Sequence, residues 1–239
     1  MSTLADSLQL AAGLIADGDQ ALLRIVGLSL RVSGTACLIG AVAGLLLGAW
    51  LAVARFPGHG ALVWLSNTLL ALPPVVVGLL VYLMLSRAGP LGEFGLLFTP
   101  TAMIVAQSVL VVPLITALSR RIVADALDEG GEQLRSLGAG PMAAAVLLLV
   151  HQRRAVATAL LTAFSRAIAE VGAVMVVGGN IDGLTRVMTT AIALETSKGD
   201  LPLALALGFV LLAVVGLLNG LAGLLQRNSS SRPRVPTWG

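Results

Sequence analysis

Long apolar runs limit what this chain can fold into more than any other feature. Five of them, at approximately 30–54, 61–86, 101–118, 155–178 and 201–225, carry almost no charge. A bilayer core is about 30 Å thick, so a helix needs about 20 mostly apolar residues to cross it. Inside lipid every backbone N–H and C=O must find a partner within the fold, which leaves helices and closed barrels. Barrel strands read as short alternating segments with aromatic girdles. Here the runs are continuous and aromatic residues make up only 4% of the chain. The expectation is an all-α integral membrane protein with about five transmembrane helices. The composition agrees, with 57% hydrophobic and 11% charged residues, far less charge than a soluble surface carries. The 27 glycines suit helices whose backbones approach closely.

Lysine and arginine set the orientation. With the N-terminus outside, the cytoplasmic parts hold Arg55, Arg120, Arg121, Arg135, Arg153, Arg154, Arg227, Arg232 and Arg234. The outer parts then hold Arg24, Arg31, Arg87, Arg186 and Lys198. Nine against five favours an outside N-terminus and a cytoplasmic C-terminus. Residues 1–27 form an extracytoplasmic or interfacial segment, with a short helix over 4–16. The acids Asp6, Asp17 and Asp19 stand where a signal peptide has bases, so the segment is expected to be retained. The tail 227–239 is basic, polar and proline-containing, and is expected to be disordered.

Several chemistries have no motif to carry them. No phosphate-cradling GxxxxGK[ST] occurs, so this chain has no P-loop, and neither HExxH nor GxSxG is present. Cys37 stands alone in an apolar run and is expected to pack in the core; no metal-ligand spacing occurs. A net charge of +3 gives no basic face for nucleic acid. Only Arg166 and Glu170 place ionisable groups deep in a span, which favours a conduit over a catalyst.

Those two residues lie within SRAIAEVGAVMVVGGNID. On one helix they would share a face and could pair. A charge at a helix centre costs about 2.5–3.5 kcal/mol on insertion scales, so such residues face a bundle interior or a water-filled cavity. The pair is expected to be an interior lock or gate latch, with direct substrate contact as the other reading. Beyond it, Gly178, Gly179 and Asn180 signal a helix stop. An amphipathic helix beginning near Leu184 would then bring Thr185, Arg186, Thr189 and Thr190 to the outer mouth, where hydroxyls and an arginine suit an anion. Capping and packing are the alternative for those threonines. Pro73 and Pro74 predict a kink in the second span, and Asn67, Gln107 and Ser108 read as interhelical hydrogen-bonders. The charged segment 119–154 reads as a polar helix, a glycine turn and a second short helix. That compact projection suits a socket on another protein.

The stretches LPPVVVGLLVYLMLSRAGPLG, LFTPTAMIVAQSVLVVP and AEVGAVMVVGGNIDGLTRVMTTAIALETSKGD together carry a resemblance. Over about 28–226 the chain resembles the permease subunits of ABC importers for oxyanions, most in the manner of the tungstate branch. The resemblance implies the type I permease fold, a homodimer with its pathway on the two-fold axis, two cytoplasmic ABC ATPase subunits and an extracytoplasmic oxyanion-binding protein. It implies a multi-pass protein of the inner membrane, surrounded by lipid. No cofactor would belong to this chain, ATP and Mg being used by the partner ATPase. The family's E-A-A-x-x-x-G loop aligns with Glu132, Gln133, Leu134 and Gly138, followed by Ala139, and implies coupling to the ATPase. Gln133 and Leu134 replace the two alanines, and Val150-His151 stands where the pattern has Leu-Pro. Related permeases carry an R-x-x-x-E pair matched by Arg166 and Glu170. With the residues read above, the expected path or gate is Arg166, Glu170, Asn180, Thr185, Arg186 and Thr189. Molybdate and sulfate are the alternative substrates; a membrane-embedded enzyme and a passive channel are the other classes.

Overall fold

The structure, a computed structural model, describes residues 4–227. All regular structure among them is helical: α1 (Leu4–Ala16), α2 (Gln20–Val53), α3 (His59–Leu69), α4 (Pro74–Leu85), a 3-10 turn (Gly92–Phe94), α5 (Pro100–Ser136), α6 (Pro141–His151), α7 (Arg153–Ile168), α8 (Gly172–Gly178), α9 (Met188–Lys198) and α10 (Leu201–Arg227). The basic tail expected beyond Arg227 lies outside the described residues.

The centre of the bundle is the seam between α2 and α5. Gly40, Gly44 and Gly48 recur every four residues and form one stripe along α2. A Cβ on Gly40 would lie 2.6 Å from Val111 Cγ1, and one on Gly44 would lie 2.8 Å from Ile115 Cβ. One on Gly48 would overlap the Ser119 hydroxyl. The stripe therefore brings two backbones together in the way small residues allow in membranes. Both sequences advance in the same direction along the contact, so α2 and α5 are parallel.

Parallel neighbours force the chain to return between them. From Val53 to Pro100 it must climb back to the N-terminal end of α2, and α3 and α4 make that return. The proline kink expected in the second span is a full break: α3 and α4 meet at 101°. Pro73 caps α4 with extended geometry and Pro74 occupies its first turn, where a missing N–H is harmless. His59 Nε2 lies 2.8 Å from the Leu51 carbonyl and pins the start of α3 to the end of α2.

The fourth expected span, 155–178, is also divided. Helix α7 stops at Ile168 and α8 begins at Gly172. Helix α7 runs antiparallel to α2 and α5, with Cys37 Sγ 3.8 Å from Leu160 O and Val111 and Ile115 packed on Ala163 and Ala167. Cys37 packs in this core, as expected. Helix α8 lies parallel to α4. A Cβ on Gly172 would meet Val75 Cγ2 at 2.6 Å, and one on Gly78 would meet Ala173 Cα at 2.8 Å.

The other boundaries follow from capping and packing. Helix α2 begins at Gln20, ten residues before the expected span, because Asp19 Oδ1 accepts from Leu22 N at 2.8 Å. That first stretch buries Leu22 and Ile25 against Ala11, Met188, Ala191, Ala206 and Leu207, so α1, α9 and the start of α10 cap one end. Helix α5 continues 18 residues past the expected span end at Leu118. At the far end α6 folds back on α2 and α5 through Ala49, Val123 and Ala145, and meets α7 at 77°. Helices α2, α5 and α10 are each long and apolar enough to cross a membrane, and counting each bent pair as one span gives five.

Candidate functional site

A helix interrupted at membrane depth exposes carbonyls at one end and N–H groups at the other, and lipid offers them nothing. Three side chains satisfy the break between α7 and α8. Gln107 Nε2, from α5, donates to the Ala167 carbonyl at 2.9 Å. Glu170 Oε1 accepts from Ala173 N at 3.2 Å, capping the first turn of α8. Thr189 Oγ1, from α9, donates to the Glu170 carbonyl at 2.8 Å. Neither Pro nor Gly occupies 169–171; the break is sustained by tertiary partners.

This geometry corrects the expected Arg166–Glu170 pair. The i,i+4 argument needs a continuous helix, and α7 ends between the two residues. Among the described residues neither takes part in an ion pair within 4.0 Å. Arg166 is exposed in the last turn of α7, where a cation is favourable near the helix C-terminus; Glu170 is half-buried. Both still line one cleft, with Gln107, Leu110, Val111 and Leu114 beside them. The arrangement sets an uncommitted guanidinium and a carboxylate held by a backbone N–H on one narrow cleft, with room for about one water molecule.

The residues expected at the outer mouth are differently employed. Helix α9 starts at Met188, four residues after the expected start, so Thr185 and Arg186 lie in the preceding loop. Asn180 has φ +51° and follows Gly179 at φ +70°, a left-handed pair that turns the chain out of α8. Thr185 is 1% exposed; its hydroxyl donates to Gly178 O at 2.6 Å and accepts from Ile181 N at 2.9 Å. Thr190 Oγ1 accepts from Val187 N at 3.1 Å, and Thr189 is committed to Glu170. These hydroxyls are therefore used inside the fold, and no anion cradle is formed by them. Arg186 lies 3.2 Å from Asp182 Oδ1 and 4.0 Å from Glu195 Oε1, and Lys198 Nζ sits 3.0 Å from the same Glu195 oxygen. Glu195 is 5% exposed, a buried carboxylate on α9 that pairs with Lys198 and lies at the limit of ion-pair range from Arg186, whose closer partner is Asp182.

At the opposite end, the segment 132–139 forms a tight helix terminus. Ala139 N donates to Leu134 O at 3.0 Å and Gly138 N to Arg135 O at 2.9 Å. With Gly138 at φ +78°, this is a Schellman motif. Glu132, Gln133 and Gly138 are exposed, Leu134 and Ala139 half-buried. Leu137 projects beside them at 82% exposure. The polar helix is the continuation of α5 itself, so the projection grows directly out of the membrane bundle.

No protein-family model matches the chain, but curated relatives do. The tungstate uptake system permease protein TupB of Peptoclostridium acidaminophilum is 40% identical over 226 residues, covering 95% of this chain and 99% of that protein. A probable anion ABC transporter permease protein of Haloferax volcanii is 38% identical, over 88% of this chain and 93% of its own length. TupB of Campylobacter jejuni is 38% identical over 67% of each. Permeases named for molybdenum and sulfate transport are more distant, at 28% to 32%.

Proposed function

The chain belongs to the permease proteins of ABC-type anion uptake systems, and from that premise we propose that it is the membrane subunit through which tungstate enters the cytoplasm. It is a transport subunit and a multi-pass protein of the cytoplasmic membrane. The observation that carries the substrate is the match to TupB along almost the full length of both proteins. Two chains form the conduit, with the cleft of Arg166 and Glu170 facing the shared axis. An isolated arginine on a membrane bundle is costly toward lipid and favourable toward an aqueous path that a dianion crosses.

Permeases of this family work with an ATPase and a binding protein. In this reading two ATPase subunits dock on the Schellman turn, with Leu134, Leu137, Gly138 and Ala139 as the contact and Glu132 and Gln133 beside it. ATP and Mg act there and have no site on this chain. The binding protein docks at the opposite end, over α9 and the loop carrying Asn180 and Arg186, which puts the N-terminus outside. Thr185 and Thr189 shape the path by holding the loop and the break rather than by touching the anion. ATP binding biases the pair of subunits toward one of two global states, and a loaded binding protein biases it as well. Tight sites inside a conduit slow exit, so selectivity belongs chiefly to the binding protein.

Molybdate is the second reading, favoured by the molybdenum permeases among the relatives. The deciding experiment reconstitutes this chain with its ATPase in proteoliposomes and adds binding protein loaded with tungstate, molybdate or sulfate. Tungstate should stimulate ATP hydrolysis most. Equal stimulation by molybdate makes the importer a general one, and no association with an ATPase overturns the reading.

A further inference from the structure

Gln107 is 3% exposed, and its amide does two different things at its two ends. Nε2 is fixed on the Ala167 carbonyl, which defines the orientation of the group. Oε1 is buried and has no hydrogen-bond partner among the described residues. Bracing the break accounts for the nitrogen and leaves the oxygen unexplained, and buried acceptors of this kind are normally paired. The cleft that Gln107 lines contains one other side chain that carries N–H groups throughout the physiological range, Arg166. Arg166 is the immediate chain neighbour of Ala167, so its flexible side chain starts one residue from the carbonyl that anchors the amide. Its planar fork has five N–H groups, enough to reach the amide oxygen and the Glu170 carboxylate together.

We propose that Gln107 is a positioning residue for Arg166: its side-chain oxygen is where the guanidinium rests when no anion occupies the path. In the structure Arg166 is exposed at the edge of the cleft it lines, and folding onto Oε1 and Glu170 would close it. An arriving dianion competes for the same donors and draws the arginine out. The inference rests on the gate reading of Arg166 given above and adds a resting state to it.

The test uses the complete complex, permease with ATPase and binding protein, in vesicles preloaded with labelled tungstate. Two rates are read, the ATP-independent leak and the ATP-driven uptake. Gln107→Leu, which removes the resting place together with the brace on Ala167, should raise the leak roughly fivefold, the factor that one net hydrogen bond carries. Gln107→Glu, which gives up the same brace but offers a charged acceptor to the guanidinium, should suppress the leak below that of the parent and slow uptake. Arg166→Ala should raise the leak, and adding Gln107→Leu to it should raise it no further. If Gln107→Glu and Gln107→Leu shift the leak in the same direction, or if the double variant is additive, Gln107 is only a brace and the inference is overturned. Should Gln107→Leu fail to assemble, the sign of the Gln107→Glu effect still decides. An Arg166→Ala complex with unchanged leak and uptake instead removes the gate reading itself.

Discussion

The hydroxyl of Ser119 donates to the carbonyl of Gly44 across the α2–α5 seam at 3.0 Å, one turn from the point where Gly48 leaves no space for a side chain. Ser119→Ala should lower stability by about 1 kcal/mol, the net worth of one hydrogen bond. Gly48→Val should cost about 3 kcal/mol or more, because its Cβ alone already collides with backbone at Thr116 and Arg120 as well as with the Ser119 hydroxyl. Apparent melting midpoints of purified protein in detergent measure both. Equal, small shifts for the two variants would mean that the seam has room for a side chain at Gly48.

Glu170 combines a structural bond and a charge, and two substitutions separate them. Glu170→Gln keeps an oxygen for Ala173 N, so its melting midpoint should match that of the parent while tungstate uptake falls. Glu170→Ala loses the cap as well and should cost about 1 kcal/mol in addition. If Glu170→Gln transports normally, the charge has no part in the path.

Thr185 holds the loop 179–187 from both sides. Thr185→Val should cost about 1–3 kcal/mol locally, since Ile181 N and Gly178 O both lose their side-chain partner. Hydrogen exchange at the Ile181 amide should accelerate, with Thr185→Ser close to the parent. The oxyanion concentration for half-maximal uptake should not move. A shift in that concentration with unchanged exchange would return Thr185 to the role of an anion contact.

Gly138 has open space around a hypothetical Cβ, so its φ of +78° is the only obstacle to substitution. Gly138→Ala should cost about 1–2 kcal/mol and Gly138→Asn less. Co-purification of the ATPase should fall in the same order if the Schellman turn is the docking element. Undiminished co-purification with Gly138→Leu would move the docking site elsewhere.

Hydropathy made spans one, three and five legible, because each is carried by a single unbroken helix. The divided spans were less so. Pro73 and Pro74 announced a kink but not its 101° size, which depends on α4 packing through Gly78 onto Ala173. The break at 169–171 has one local partner, the Glu170 carboxylate on Ala173 N; its carbonyls depend on Gln107 and Thr189, 60 residues away and 19 residues away. The Arg166–Glu170 pair was inferred from helical spacing, and it failed where the helix did. Gln107 was legible as an interhelical hydrogen-bonder, although its partner was not. For Thr185 and Thr189, hydroxyls near a mouth look the same in sequence whether they face an anion or a carbonyl, and only the fold distinguishes them.

Helix α5 is one object with a structural task at each end. Gln107 braces the break near its start, Leu134 closes the Schellman turn near its finish, and about 40 Å of continuous helix separates them. A rod of that length is a lever arm: tilting it by about 5° sweeps one end about 3–4 Å relative to the other, comparable to a hydrogen-bond length. Pro113, inside the helix, stands about a quarter of the way along the arm, where a missing N–H softens it. Motion at the turn therefore reaches the brace at Gln107 as a displacement, with a built-in joint deciding how much of it arrives as bend.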